Sequence, residues 1–122
     1  MSLPVPCETP CPSSPNCVSS LASDALHAIA PLQVRGPADS VVDRLAAVVL
    51  AFPRTELVAQ TPDTLSVTFT SGLFRFVDDV SFKVDPAGSV IHVRSASRVG
   101  RGDLGANRKR VEAIRAAWGA TP

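Results

Sequence analysis

Three cysteines and a histidine near the N-terminus, Cys7, Cys11, Cys17 and His27, are the first residues in this 122-residue chain whose types do chemistry. Cys11 and Cys17 bracket Pro12-Ser13-Ser14-Pro15-Asn16, a short loop that prolines restrict, so their sulfurs could meet in a disulfide. Reduced thiols are the norm in a cytoplasmic setting, and the leading reading is of small buried hydrophobes tying the arm to the core. The four residues also form a zinc-type ligand set, but the paired CxxC knuckle is absent. A Cys17–His27 nucleophile pair has no oxyanion site to go with it. No metal, cofactor or catalytic residue is therefore assigned.

Asp78 and Asp79 are adjacent carboxylates in a strand-like segment. Neighbouring strand residues point to opposite faces, which argues against a paired acid/base site. Asp78 falls among aromatic and aliphatic residues and must find a partner, with Ser95, Ser97, Arg98 and Asn107 as the candidates. The polar run Arg94 to Arg110 combines hydroxyls, guanidinium groups and glycines ahead of a helix start, where an anion could sit unless Asp103 fills that place itself. Its glycines match neither the Walker nor the Rossmann pattern. The chain has no Tyr, and its one Trp lies on an apolar helix stripe, which argues against nucleic acid.

These residues must be held by elements that the hydrophobic spacing defines. Residues 1–37 carry seven of the eleven prolines and all three cysteines and read as an N-terminal arm, ordered or half ordered. Residues 38–119 read as an α-β-β-β-β-α core within a single domain. Val41, Leu45, Val48 and Phe52 recur at helical spacing, with Asp39 or Ser40 as cap and Pro53 as stop. Residues 55–60 and 65–71 flank Thr61-Pro62-Asp63-Thr64 as a hairpin. A third strand is expected from Phe74 to Asp85, with Phe74, Phe76, Asp78, Val80, Phe82 and Val84 on one face. Asp85-Pro86-Ala87-Gly88 turns it into a fourth over residues 89–97. Matched faces pair Phe82 with Ile91 and Val80 with Val93, which sets Asp79 across from Arg94 and Asp78 across from Ser95. A second helix, from about Gly105 to Trp118, places Leu104, Asn107, Val111, Ile114 and Trp118 on one stripe, with an Arg108–Glu112 pair at its edge and Gly119 as its C-terminal cap. The fold class is α+β: a four-stranded antiparallel meander covered by two helices, with a Pro/Cys-rich arm.

Twelve basic residues against eleven acidic ones leave no global field toward nucleic acid, membrane or acidic substrate. No apolar run is long enough to span a bilayer, and the start of the chain has no secretory pattern, so a cytoplasmic location is expected.

Four segments carry a resemblance: CPSSPNCVSS from Cys11, FVDDV from Phe76, RSASRVG from Arg94 and DLGANRKRVE from Asp103. In this order they resemble the signature of domain of unknown function family 1499, over about residues 11 to 118. The resemblance implies no activity. It implies that Cys11, Cys17, Asp78, Asp79, Arg94, Ser95, Ser97, Arg98, Asp103, Asn107 and Arg108 are the marked positions. Many members resemble exported or membrane-attached proteins, which favours a Cys11–Cys17 disulfide in them. Cys7 lies outside the pattern.

The function expected is a non-enzymatic binding or interaction module. Asp78, Arg94, Ser95, Ser97, Arg98, Asn107 and Arg108 would receive a small anionic ligand, or the module would meet a protein partner. The alternatives are an enzyme using Cys17 or Asp78 and a structural or assembly factor with no ligand site.

Overall fold

The computed structural model describes residues 3–100 and 105–121. Its elements are β1 (Cys17–Ser19), β2 (Leu32–Gln33), α1 (Val41–Leu50), β3 (Thr55–Gln60), β4 (Thr64–Thr70), β5 (Val77–Val84), β6 (Val90–Ser97) and α2 (Ala106–Gly119). A 3-10 turn, Ala38–Ser40, leads into α1. Strands β3 to β6 form the expected meander, and the sheet order is β1-β6-β5-β4-β3. The α+β class stands, but the sheet has six strands rather than four. Two short arm segments, β1 and β2, pair antiparallel with the far edge of β6. Prolines confine them to an edge, where few ladder donors are needed.

Both helices lie on one face of the sheet. Val41, Leu45 and Val49 of α1 and Val111, Ile114 and Trp118 of α2 are buried against Leu65, Val67, Val80, Phe82, Ile91 and Val93, with Leu32 of β2 completing the core. The indole nitrogen of Trp118 donates to the Gln33 carbonyl at 2.8 Å, so the one aromatic of α2 also holds the arm strand. The opposite face over β5 and β6 is covered by arm residues before Cys11. Glu8 pairs with Lys83 at 2.8 Å, Arg94 donates to the Thr9 carbonyl at 2.8 Å, and Cys7 is buried.

The structure corrects several local expectations. Strand β5 starts at Val77, because Ser71–Phe76 is a closed turn in which Arg75 takes a left-handed φ of 59°; Phe74 and Phe76 are therefore exposed instead of lining the core. In the last hairpin Phe82 faces Val93 and Val84 faces Ile91, two residues away from the expected pairing. Asp79 thus stands across from Ala96 and Asp78 across from Ser97. The cause is the turn: Pro86 favours a type I bend that suits a four-residue loop, and Gly88 at φ 78° supplies the left-handed step that closes it. A slip of two preserves which face each side chain takes, so the hydrophobic pattern does not distinguish the two registers.

Arg108 does not pair with Glu112. Its guanidinium donates to the Ala28 and Leu26 carbonyls, while Glu112 pairs with Arg115 at 2.9 Å. Gly119 is the last helical residue, and Ala120 takes the C-cap with ordinary αR geometry. Ser40 holds the N-cap place of α1 without a side-chain capping bond, its hydroxyl accepting from Arg44 Nε at 2.9 Å. Asp103 and Leu104 lie outside the described residues.

Candidate functional site

The marked residues gather at one end of the sheet, but the sheet itself divides them. Asp78, Ser95 and Ser97 project from β5 and β6 toward α2, where Asn107 meets them. Arg94 and Arg98 belong to the other face. Arg94 lies under the arm, donating to the Thr9 and Pro10 carbonyls, and Arg98 forms a two-bond pair with Asp79, each bond 2.9 Å. Arg108 points away along α2 to the arm. The alternation of β6 separates Arg94 from Ser95 as it must.

On the helix side the polar groups form one closed network. Ser95 Oγ donates to Asn107 Oδ1 at 2.7 Å; Asn107 Nδ2 donates to Ser97 Oγ at 2.9 Å and to the Asn16 carbonyl at 3.1 Å. Arg110 Nη1 reaches Asn107 Oδ1 at 2.9 Å and Asp78 Oδ2 at 2.8 Å. Its guanidinium also stacks on Phe69, 4.9 Å from the ring centroid. Ser95 and Asn107 are fully buried. Among the described residues no buried side-chain nitrogen or oxygen lacks a partner. The network therefore fastens α2 to β5, β6 and the arm, and its hydrogen-bonding capacity is taken up internally.

Two members of this network were not among the sequence candidates. Arg110, three residues after Asn107, comes round to the same side of the helix, a signal that was present in the spacing. Asn16 contributes a carbonyl to Asn107 and sends its own Nδ2 to the Gly100 carbonyl at 2.7 Å. Nothing in a Pro/Ser-rich loop announces that role.

On the arm, Cys11 and Cys17 form a disulfide. This displaces the reading of two reduced buried thiols, removes both sulfurs from any zinc set, and leaves Cys17 without the free thiolate that a nucleophile requires. Cys7 is the remaining free thiol, and burial, followed by the neighbouring Glu8 carboxylate, pushes it up to about 12. We expect no alkylation of the native, unreduced protein, one modified cysteine after denaturation and three after denaturation with reduction; intact-mass measurement reads the count. Two modified thiols in native, unreduced protein would contradict the disulfide.

His27 is buried in the arm, with Nε2 2.9 Å from the Ser14 carbonyl and Nδ1 2.6 Å from Asp24 Oδ2. The hydrogen bond to Ser14 and then the Asp24 carboxylate outweigh the burial penalty and hold its pKa above the ordinary 6.5. Burial pushes Asp24 up, but the His27 hydrogen bond overrides it and keeps the carboxyl low. A raised histidine stabilises the fold fully below its unfolded value and loses that contribution as pH rises through the folded one. The lowered carboxylate contributes above its unfolded value and loses it as pH falls through the folded one. Melting temperature should therefore fall as pH is raised through the folded His27 titration, and His27→Gln should flatten that slope. An unchanged slope in the variant would assign it to other groups.

Beside the network lies an open cleft of about 310 Å³ between the end of α1, the end of β4 and the first turns of α2. Phe52, Pro53 and Phe69 form its apolar wall, and Arg54, Lys109 and Arg110 bring cations to it, with Thr70 and Ser71 at its edge. Arg54 holds a left-handed φ of 56°, and its Nε donates to the Thr70 carbonyl at 3.0 Å. Among the described residues neither Arg54 nor Lys109 forms a salt bridge, whereas Arg110 is committed to Asp78. A second hollow, about 270 Å³, opens between the arm and the Ser19–Asp24 turn; its carboxylates, Glu8 and Asp24, already pair with Lys83 and His27. Among the described residues no group of three His, Cys, Asp or Glu side chains is arranged to hold a metal. No described helix is long and apolar enough to cross a membrane.

The family model described as "Protein of unknown function (DUF1499)" matches residues 9–118, nearly the whole chain. No curated protein matches it.

Proposed function

We propose, from the premise that this chain belongs to the DUF1499 family of proteins of unknown function, that it is a non-enzymatic binding module whose ligand is an anion held in the Arg54/Lys109/Arg110 cleft. The observation that carries this reading is that two of the three cations facing the cleft have no carboxylate partner among the described residues. The seven residues singled out in the sequence then act mainly as support. Asp78, Ser95, Ser97 and Asn107 fix α2, and through Arg110 they fix one wall of the cleft, so the anion site stands next to the marked cluster rather than within it. The Phe52, Pro53 and Phe69 wall excludes water from one side and strengthens each charge-assisted bond.

Two charge-assisted hydrogen bonds, each worth about 2 kcal/mol net, correspond to a dissociation constant on the order of 1 mM for a simple anion. The Cys11–Cys17 disulfide supports an oxidising compartment over the cytoplasm expected from the sequence. The reading is tested by calorimetric titration with inorganic phosphate. Millimolar binding by the parent protein, lost in an Arg54→Ala/Lys109→Ala double variant of unchanged circular dichroism, is the expected result. Equal binding by the double variant, or no binding by the parent, would overturn it.

A further inference from the structure

We propose that the anion is the headgroup of an anionic lipid bilayer, and that the turn Ser71–Phe76 is the element that enters it. This rests on the anion-binding reading of the neighbouring cleft.

The turn joining β4 to β5 presents Leu73, Phe74 and Phe76 to solvent, 81%, 68% and 52% exposed. It is preformed. Ser71 N donates to the Phe76 carbonyl at 2.8 Å, Phe76 N donates to Ser71 Oγ at 2.9 Å, and the Phe74 and Phe76 rings stack at 5.7 Å. The tip therefore loses little freedom when it docks, which favours binding. Val99, also exposed, belongs to the same end, since Arg98 N bonds the Val77 carbonyl at 3.1 Å.

Cations ring this apolar tip. Arg75 is part of the turn, and Arg54 lies against it, its guanidinium carbon 3.4 Å from where a Cβ on Gly72 would stand. Lys109 lines the cleft that Ser71 also borders. Among the described residues the acidic ones at this end are Asp78 and Asp79, both paired with arginines, and Glu56, which shares a hollow with Arg54 and Arg75 on the β3 side. Apolar side chains at a tip with cations one layer behind match the order of a bilayer surface, acyl boundary below and anionic headgroups above. Three side chains on a narrow turn fall well short of the roughly 800 Å² per partner that a stable protein interface buries. Insertion into lipid needs no such area.

The test is co-sedimentation with vesicles of phosphatidylcholine, with and without phosphatidylglycerol, at low and high salt, alongside calorimetry with glycerol phosphate. The parent protein should bind the anionic vesicles, weaken in high salt and ignore the neutral ones. Leu73→Ser/Phe74→Ser should lower that partition roughly 100-fold, at about tenfold per apolar side chain, and leave glycerol phosphate binding intact. Arg54→Ala/Lys109→Ala should weaken both, with vesicle binding down roughly 30-fold at about 1 kcal/mol per cation. Glycerol phosphate binding without vesicle binding overturns the lipid proposal and leaves the anion reading standing. Loss of neither in the Arg54/Lys109 variant overturns both. Neutral vesicles binding as well as anionic ones, or a tip variant that only abolishes self-association in sedimentation velocity, would also overturn the lipid proposal.

Discussion

Asn107→Ala is expected to lower the unfolding free energy by about 3 kcal/mol, one of two large losses we anticipate from single substitutions in the network. The amide is fully buried and uses both of its ends: Oδ1 accepts from Ser95 and Arg110, and Nδ2 donates to Ser97 and to the Asn16 carbonyl. Alanine removes these four bonds at once and leaves the Ser95 hydroxyl, at zero exposure, beside a void with only a long 3.4 Å bond from Arg110 Nη1. An unsatisfied or weakly bonded buried polar group costs about 1–3 kcal/mol, so two of them span about 2–6 kcal/mol, and partial relaxation of the site places the loss in the lower half of that range. For a chain of this size the loss corresponds to a melting-temperature drop of roughly 10 °C. Asn107→Asp keeps the shape but removes both donors, so it should not rescue. A loss below about 1 kcal/mol in urea unfolding would mean that water replaces the amide and that the network is not a fastening.

Arg110→Ala should cost about 3 kcal/mol by a different route. Asp78 is only 7% exposed, and removal of its partner strands a carboxylate between β5 and α2. The stacking of the guanidinium on Phe69 is lost as well, a contribution of about 0.5–1 kcal/mol. Replacing both partners is a gentler change, because no charge is left unpaired. The Asp78→Asn/Arg110→Ala double variant should therefore recover part of the loss, and the pairwise coupling from the full cycle with Asp78→Asn and Arg110→Ala should be about 1–3 kcal/mol. Urea midpoints at constant m-value measure it. Strict additivity of the two single losses would contradict a direct Asp78–Arg110 coupling.

The parts of this fold that were legible in the sequence are those governed by local period. Leu65, Val67 and Phe69 alternate because one face of β4 is buried, and Val111, Ile114 and Trp118 recur at helical spacing for the same reason on α2. Asp78, Ser95, Ser97 and Asn107 could be grouped because each interrupts an apolar face, and a polar residue there needs a partner. What could not be read was governed by geometry between elements. The two-residue slip in the β5–β6 hairpin is invisible to a period-2 pattern, and it moved Asp79 from Arg94 to Arg98. The edge strands β1 and β2 have three and two residues, too few to show any period. Arg54 follows Pro53 in a connection, and only the meeting of α1, β4 and α2 reveals that it shares a cleft with Lys109. The exposure of Phe74 and Phe76 depended on one backbone angle at Arg75.

The measurement that bears most directly on the account is an amide NMR titration with inorganic phosphate. We predict shift changes that saturate together at Arg54, Thr70, Ser71 and Lys109, with Ser95, Ser97 and Arg94 unmoved, because the former line the cleft and the latter are committed to internal partners. Saturable shifts centred on Arg94, Ser95 and Ser97, with Arg54 and Lys109 silent, would contradict it and return the ligand site to the marked cluster itself.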